Sequence, residues 1–169
     1  MIRMWKTWLG LVATCGWLLA LSVGAVPEAT RPEALVDYPD GYRTWAHVKT
    51  ALVSAGHPKF ASAGGFRHIY ANAQGIAGYR SGAFADGSII VVDWIEGNDE
   101  NGEFSEGARR RLDVMVKDRS RFQATGGWGF ERFQGDSRTE RMVKSVATEC
   151  FACHSGPGTT DLVFSKFRQ

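Results

Sequence analysis

The sequence predicts an α+β fold: a β-rich antiparallel sheet with flanking helices, ending in a C-terminal helix that carries a cysteine–histidine motif. Three stretches lead to that expectation. Residues 88–95 (SIIVVDWI) are β-branched and apolar and follow the turn pair Asp86-Gly87, which marks a strand. Residues 111–117 alternate, with Leu112, Val114 and Val116 on one face and Arg111, Asp113 and Met115 on the other. Residues 139–149 carry Met142, Val143 and Val146 as a helix would, just ahead of the motif.

Taken in order, residues 1–25 have the layout of a secretory signal peptide. Arg3 and Lys6 form a positive start, residues 8–23 are uncharged and apolar, and Val23-Gly24-Ala25 offers small residues for cleavage, with Pro27 just beyond. Gly10, Thr14, Gly16 and Ser22 leave the run short of the roughly 20 apolar residues of a membrane span. Lipidation at Cys15 is disfavoured by Thr14 and by the apolar run continuing past it. Residues 26–37 read as a lead-in and 38–169 as the domain.

Within the domain, Tyr38-Pro39-Asp40-Gly41 is a turn. Trp45, Val48 and Leu52 recur at helical spacing, which predicts a helix over 42–53, stopped by Gly56-His57-Pro58. A strand is expected at 66–70 and a short, glycine-interrupted helix at 73–80. After the strand at 88–95 comes a polar loop, 98–105, then the alternating strand and a last strand at 128–133 behind Gly126-Gly127.

The composition is that of one globular domain: 169 residues, 44% hydrophobic and 22% charged, which excludes a disordered chain. With 20 basic and 18 acidic residues it lacks the basic excess of a nucleic-acid binder. Cleavage after Ala25 removes Arg3 and Lys6, so the 20 basic residues become 18 and match the acids. Cys15 leaves as well, and the remaining cysteines are Cys150 and Cys153.

Those two lie in Cys150-Phe151-Ala152-Cys153-His154, a C-x-x-C-H sequence of the kind that attaches one haem c covalently. Two thiols three positions apart on a helical turn can add to the two haem vinyl groups. The adjacent histidine then presents its imidazole to the iron, making His154 the proximal ligand. A redox dithiol would need a βαβ context that is not visible, and a zinc site would need a second cysteine pair. A plain structural disulfide is the third alternative. Attachment of haem c also requires export, which residues 1–25 would provide.

What binds the far side of the iron separates an electron carrier from a ligand binder. The fifteen residues after His154 contain neither Met nor His, and Met142 sits on the same predicted helix as the motif. Met115, His47, His57 and His68 stay in play as sixth ligands, although packing or surface roles are the commoner use of each. The expectation is a five-coordinate iron.

Several segments, in this order and spacing, resemble the cytochrome P-460 family: residues 38–43 (YPDGYR), 67–70 (RHIY), 84–87 (FADG), 116–118 (VKD), 127–130 (GWGF) and the late motif at 150–154. The resemblance covers about residues 37–168. It implies a β-rich haem c protein, usually a homodimer, with an accessible distal pocket. It also implies one of two branches. P-460 enzymes oxidise hydroxylamine and carry a lysine bonded to the porphyrin edge; the cytochromes c′-β lack that bond, have an apolar distal pocket and bind nitric oxide.

Carried over residue by residue, the family's distal arginine falls on Arg67 and its distal carboxylate on Asp113. The cross-linking lysine falls on Val92, which has no amine. The resemblance therefore implies the c′-β branch: a periplasmic monohaem cytochrome that binds a small gaseous or nitrogen-oxide ligand, with nitric oxide foremost. Val92, Arg67 and Asp113 would shape its distal side. An apolar Val92 favours small neutral ligands. Arg67 has a haem propionate as its other expected partner, and Asp113 an arginine. A redox partner protein is compatible with this reading; nucleic acid, and membrane after cleavage, are not expected partners. Hydroxylamine oxidation and six-coordinate electron transfer are the alternatives. Arg109-Arg110-Arg111 is expected to form a solvated face among surrounding acids.

Overall fold

A computed structural model describes residues 35–168, and the expected signal segment lies outside them. Five strands form one sheet: β1 (Ala46–Val53), β2 (Gly65–Ala71), β3 (Ile89–Glu100), β4 (Glu103–Lys117) and β5 (Trp128–Gln134). Their spatial order is their chain order, and every neighbouring pair is antiparallel. Helix α1 (Phe60–Ala63) lies between β1 and β2, and α2 (Ala73–Ser81) between β2 and β3. After β5 the chain runs to a π-helical turn, Ala147–Phe151, which continues into α3 (Ala152–His154). The expected α+β class, antiparallel sheet and C-terminal helix are all present.

β3 is the central strand and is buried on both sides, so Ile90 and Val91 point into different cores. On one side Ile90, Met115, Trp128 and Phe130 pack with Phe84 and with Cys150 of the terminal segment. On the other, Val91, Leu112, Val114 and Phe133 pack with Val36 and Tyr42. Beneath this second core lies Asp93, fully buried. Its carboxylate accepts hydrogen bonds from Tyr42 Oη (2.6 Å), Arg43 (2.9 Å) and Arg109 Nε (2.7 Å), tying the start of the domain to the sheet.

Three expectations are corrected. Residues 42–53 are not a helix: a single 3-10 turn, Tyr42–Thr44, leads into β1. Pairing with β2 slips between His47 and Lys49, and such an irregularity breaks the two-residue alternation. Trp45, Val48 and Leu52 thus acquire a spacing that imitates a helix. The stretch 98–105 is not a loop but the end of a hairpin, paired as far as Glu100 and Glu103. Its two-residue turn is Asn101-Gly102, both at positive φ, which is the strongest short hairpin signal in the chain. Residues 139–149 become helical only from Ala147. Before that, Arg141 bridges Phe133, Met142 N–H donates to the Arg132 carbonyl and Val143 N–H to the Glu131 carboxylate. Met142 therefore stands off the motif's helix, exposed to solvent.

β2 begins at Gly65, whose φ of +95° only glycine adopts easily. An added Cβ would lie 2.2 Å from the Ile95 carbonyl oxygen, a backbone atom that cannot swing away. Gly65→Ala is expected to cost more than the about 1–2 kcal/mol of a left-handed backbone alone, read as a lower midpoint in urea unfolding.

Candidate functional site

Two adjacent rows of side chains cross one face of the sheet. Lys49, Ile69, Val92, Asp113 and Arg132 are partners in register across all five strands. Two residues along, Ala51, Arg67, Trp94 and Arg111 make a second row from β1 to β4. Side chains alternate along a strand, so both rows face the same way. Together they form the wall of a cavity of about 390 Å³, faced by His154, Phe164 and Ser165 of the terminal segment. The sheet thus brings Val92, Arg67 and Asp113 into one cavity with His154.

The wall is less apolar than the Val92 argument expects. Val92, Ile69 and Ala51 are apolar, but Lys49, Arg67, Arg111 and Arg132 supply four cations against the single carboxylate of Asp113. That carboxylate is held on both oxygens. Trp94 Nε1–H donates to Oδ2 at 2.8 Å and Arg111 Nε–H to Oδ1 at 2.9 Å, with Arg132 Nε 3.6 Å away. Burial raises the Asp113 carboxyl above its ordinary value, while Arg111, Arg132 and the two hydrogen bonds pull it back. The Arg67 and Arg111 guanidiniums lie over the Trp94 ring, 5.1 and 4.0 Å from its centroid. Trp94, Arg132 and Lys49 have no role in the sequence reading, and Arg111 figures there only on a strand face and in the expected solvated face. The two-residue period through Val92 and Asp113 points to Trp94 and Arg111.

On the facing side, the His154 ring packs against Phe130 and Phe164, each 4.9 Å between centroids. Its Nδ1–H donates to the Leu162 carbonyl at 2.7 Å, which leaves the Nε2 lone pair as the ring's free ligating site. Burial lowers the His154 pKa and so favours the neutral, ligating form. Cys150 and Cys153 are free thiols on the same helical turn, Cys150 buried in the core and Cys153 exposed. Burial pushes the Cys150 thiol up to about 11.

The carbonyl that His154 uses belongs to a tight turn closed by the bridge between Thr160 and Val163. Asp161 and Leu162 within it are both left-handed, with φ of +46° and +64°. The Asp161 carboxylate accepts from Lys117 Nζ at 2.7 Å and from Phe84 N–H at 3.0 Å, and its carbonyl accepts from Trp128 Nε1 at 2.9 Å. Burial works to raise the Asp161 pKa, but the Lys117 and Phe84 hydrogen bonds outweigh it and hold the group below its ordinary value. A carboxyl lowered on folding contributes stability above its unfolded pKa, about 3.9, and loses it as pH falls through the folded value. The stability gap between the wild type and Asp161→Asn should therefore be full at pH 7 and close below pH 4, as measured by urea unfolding at each pH.

The other candidate ligands lie elsewhere. His47 Nε2 and His68 Nδ1 each sit 2.8 Å from Thr50 Oγ1, and His68 Nε2 lies 2.8 Å from Glu106. His57 accepts from Lys59 N–H. Met115 is buried in the core and does not line the cavity. The three adjacent arginines are not a solvated face. Arg109 is largely buried against Asp93, Arg110 donates to the Gly64 carbonyl, and Arg111 lines the cavity.

These residues fit a haem. His154 offers one oriented imidazole nitrogen, and the volume is in the range of ligand cavities. The cationic surplus of the wall suits the two carboxylates that a haem carries. Arg67 Nε is buried at this wall without a hydrogen-bond partner among the described residues, as expected where a bound group supplies one. A second concavity of about 530 Å³ runs beside Lys49, Thr50, Lys166 and Arg168, away from His154.

No curated protein matches the chain. The family model described as Cytochrome P460 matches residues 39–165, a span that takes in all five strands, both rows of the wall and the motif at 150–154. The chain belongs to the Cytochrome P460 family and is a haem-binding cytochrome.

Proposed function

We propose that this protein is an exported monohaem c-type cytochrome that binds nitric oxide at an open distal iron position. Cys150 and Cys153 hold the haem through thioethers, and His154 Nε2 is the proximal ligand. A haem so bound supplies an iron with one position free for a small ligand. The chain's own residues do the rest. Val92 and Ile69 keep the centre of the wall apolar, with Lys49 beside Ile69 on β1; Arg67 offers its N–H groups to a ligand or a propionate, and Trp94 and Arg111 hold Asp113 still. The observation that carries the reading is the make-up of the cavity: among the described residues, His154 is the one imidazole that lines it and no methionine does.

Export rests on the layout of residues 1–25. A homodimer is part of the same proposal and is read by light scattering.

Absorption spectra of the purified holo-protein, oxidised and then reduced with and without nitric oxide, test the reading. High-spin spectra that change on adding nitric oxide are expected. A six-coordinate low-spin spectrum, indifferent to nitric oxide and carbon monoxide, would replace the reading with electron transfer. Hydroxylamine oxidation is the second reading, favoured by the upward pull of burial on Asp113, a group that would then move protons. It requires turnover of hydroxylamine with an added electron acceptor, lost in Asp113→Asn. A red-shifted reduced Soret band would indicate a modified porphyrin and contradict the Val92 assignment.

A further inference from the structure

We infer that Lys117 and Asp161 are positioning residues for the proximal ligand: they hold a strained turn whose carbonyl orients His154. The inference rests on reading His154 as the iron ligand.

Lys117 stands at the end of β4, its side chain only 2% exposed, and a lysine so placed is rare without a dedicated partner. Its partner is Asp161 at 2.7 Å, and it also donates to the Gly126 carbonyl at 3.1 Å. No other part of the proposed chemistry uses this pair. Asp161 and Leu162 are consecutive left-handed residues with side chains, a conformation that persists only where the surroundings impose it. Here the surroundings are identifiable. Lys117 and Phe84 N–H hold the Asp161 carboxylate, Trp128 Nε1 holds its carbonyl, and Lys117 also lies over the Trp128 ring, 4.9 Å from the centroid.

The consequence is directional. With Asp161 fixed, the next carbonyl, that of Leu162, points at His154 Nδ1 from 2.7 Å. A hydrogen bond from Nδ1 fixes the tautomer and plane of a ligating imidazole and makes it a stronger donor to the metal. The anchor runs from a lysine in the sheet, through a turn of the terminal segment, to the nitrogen opposite the ligating one. Releasing it lets Asp161 and Leu162 relax toward right-handed backbone and turns the Leu162 carbonyl away.

The test is resonance Raman spectroscopy of the ferrous holo-protein, reading the iron–histidine stretch, together with the reduction potential. Lys117→Met and Asp161→Asn are each expected to lower the stretching frequency and raise the potential, since a weaker donor stabilises the ferric iron less. Leu162→Gly keeps the carbonyl and removes the cost of its left-handed backbone. It should retain the wild-type frequency and, combined with Lys117→Met, restore it. If the pair only stabilised the fold, its loss would lower the unfolding midpoint and leave the frequency unmoved. An unmoved band in Asp161→Asn overturns the inference even if Lys117→Met does not load haem. A wild-type protein with no iron–histidine band would instead overturn the five-coordinate reading on which the inference rests, and a His154→Ala protein that kept the wild-type band would overturn the assignment of His154.

Discussion

Cys153→Ala is expected to yield a chain with at most one thioether, and Cys150→Ala/Cys153→Ala a chain with none. The two cysteines are not equivalent. Cys153 is exposed at the rim of the helical turn, whereas Cys150 is buried among Ile90, Met115 and Phe130, with its thiol pushed up to about 11 by burial. On the proposed attachment, Cys150 would react from a buried, protonated sulfur and the exposed Cys153 with fewer constraints. Cys153→Ala should for that reason lose most of the covalent product, and Cys150→Ala should in addition leave a small void in the core. Mass spectrometry of the acid-denatured protein, with haem-stained gels, counts the bonds directly. Full covalent loading of the double variant would show that the motif does not attach the group.

The second large effect lies on the opposite face of the sheet. Asp93→Ala removes the one carboxylate that satisfies Tyr42 Oη, Arg43 and Arg109 Nε, and leaves Arg109 as a poorly compensated cation with Asp136 as its other partner. Breaking a buried pair by deleting one side costs about 3–5 kcal/mol. Burial and the bond to Asp93 also raise the Tyr42 hydroxyl well above its ordinary value, so that tyrosine stays protonated and donating across the working range. Urea unfolding of Asp93→Ala, Arg109→Met and the double variant should show strong non-additivity, because each single change strands the same partners. Additive losses would mean that the network does not act as a unit. The side chain of Asp93 points away from the cavity between its neighbours Val92 and Trp94. Protein that remains folded should therefore keep its haem spectrum.

What could be read in the sequence divides along physical lines. The strands at 88–95, 111–117 and 128–133 were legible because their apolar alternation is strong and local. So was the motif at 150–154, whose chemistry dictates its own spacing. β1 was misread as a helix because one irregular residue shifted the period, and pairing with β2, a contact distant in sequence, decided the outcome. The hairpin end at 98–105 was hidden by its polarity, although Asn101-Gly102 announced the turn. In the site, Val92, Arg67 and Asp113 were placed by likeness to a family, and the cavity brings them together. Trp94 and Arg111 follow from the two-residue period through Val92 and Asp113, whereas only the register of the five strands shows that Arg132 and Lys49 share the wall. Val92 stands where the family's lysine falls, and in its row it lies between the apolar Ile69 and the carboxylate of Asp113.

The row from Lys49 to Arg132 takes one side chain from each strand. A slip of one residue anywhere in the sheet would turn that strand's contribution to the other face and put its neighbour in the gap. Alignment of the backbone and chemistry of the wall are thus the same quantity. Each strand supplies its own slot, although the Asp113 slot is tied to Trp94, Arg111 and Arg132. A substitution at Lys49, Ile69 or Val92 would change the charge or bulk that meets a ligand without removing a hydrogen bond to Asp113. A scaffold of this kind can be moved from one small-molecule chemistry to another one strand at a time.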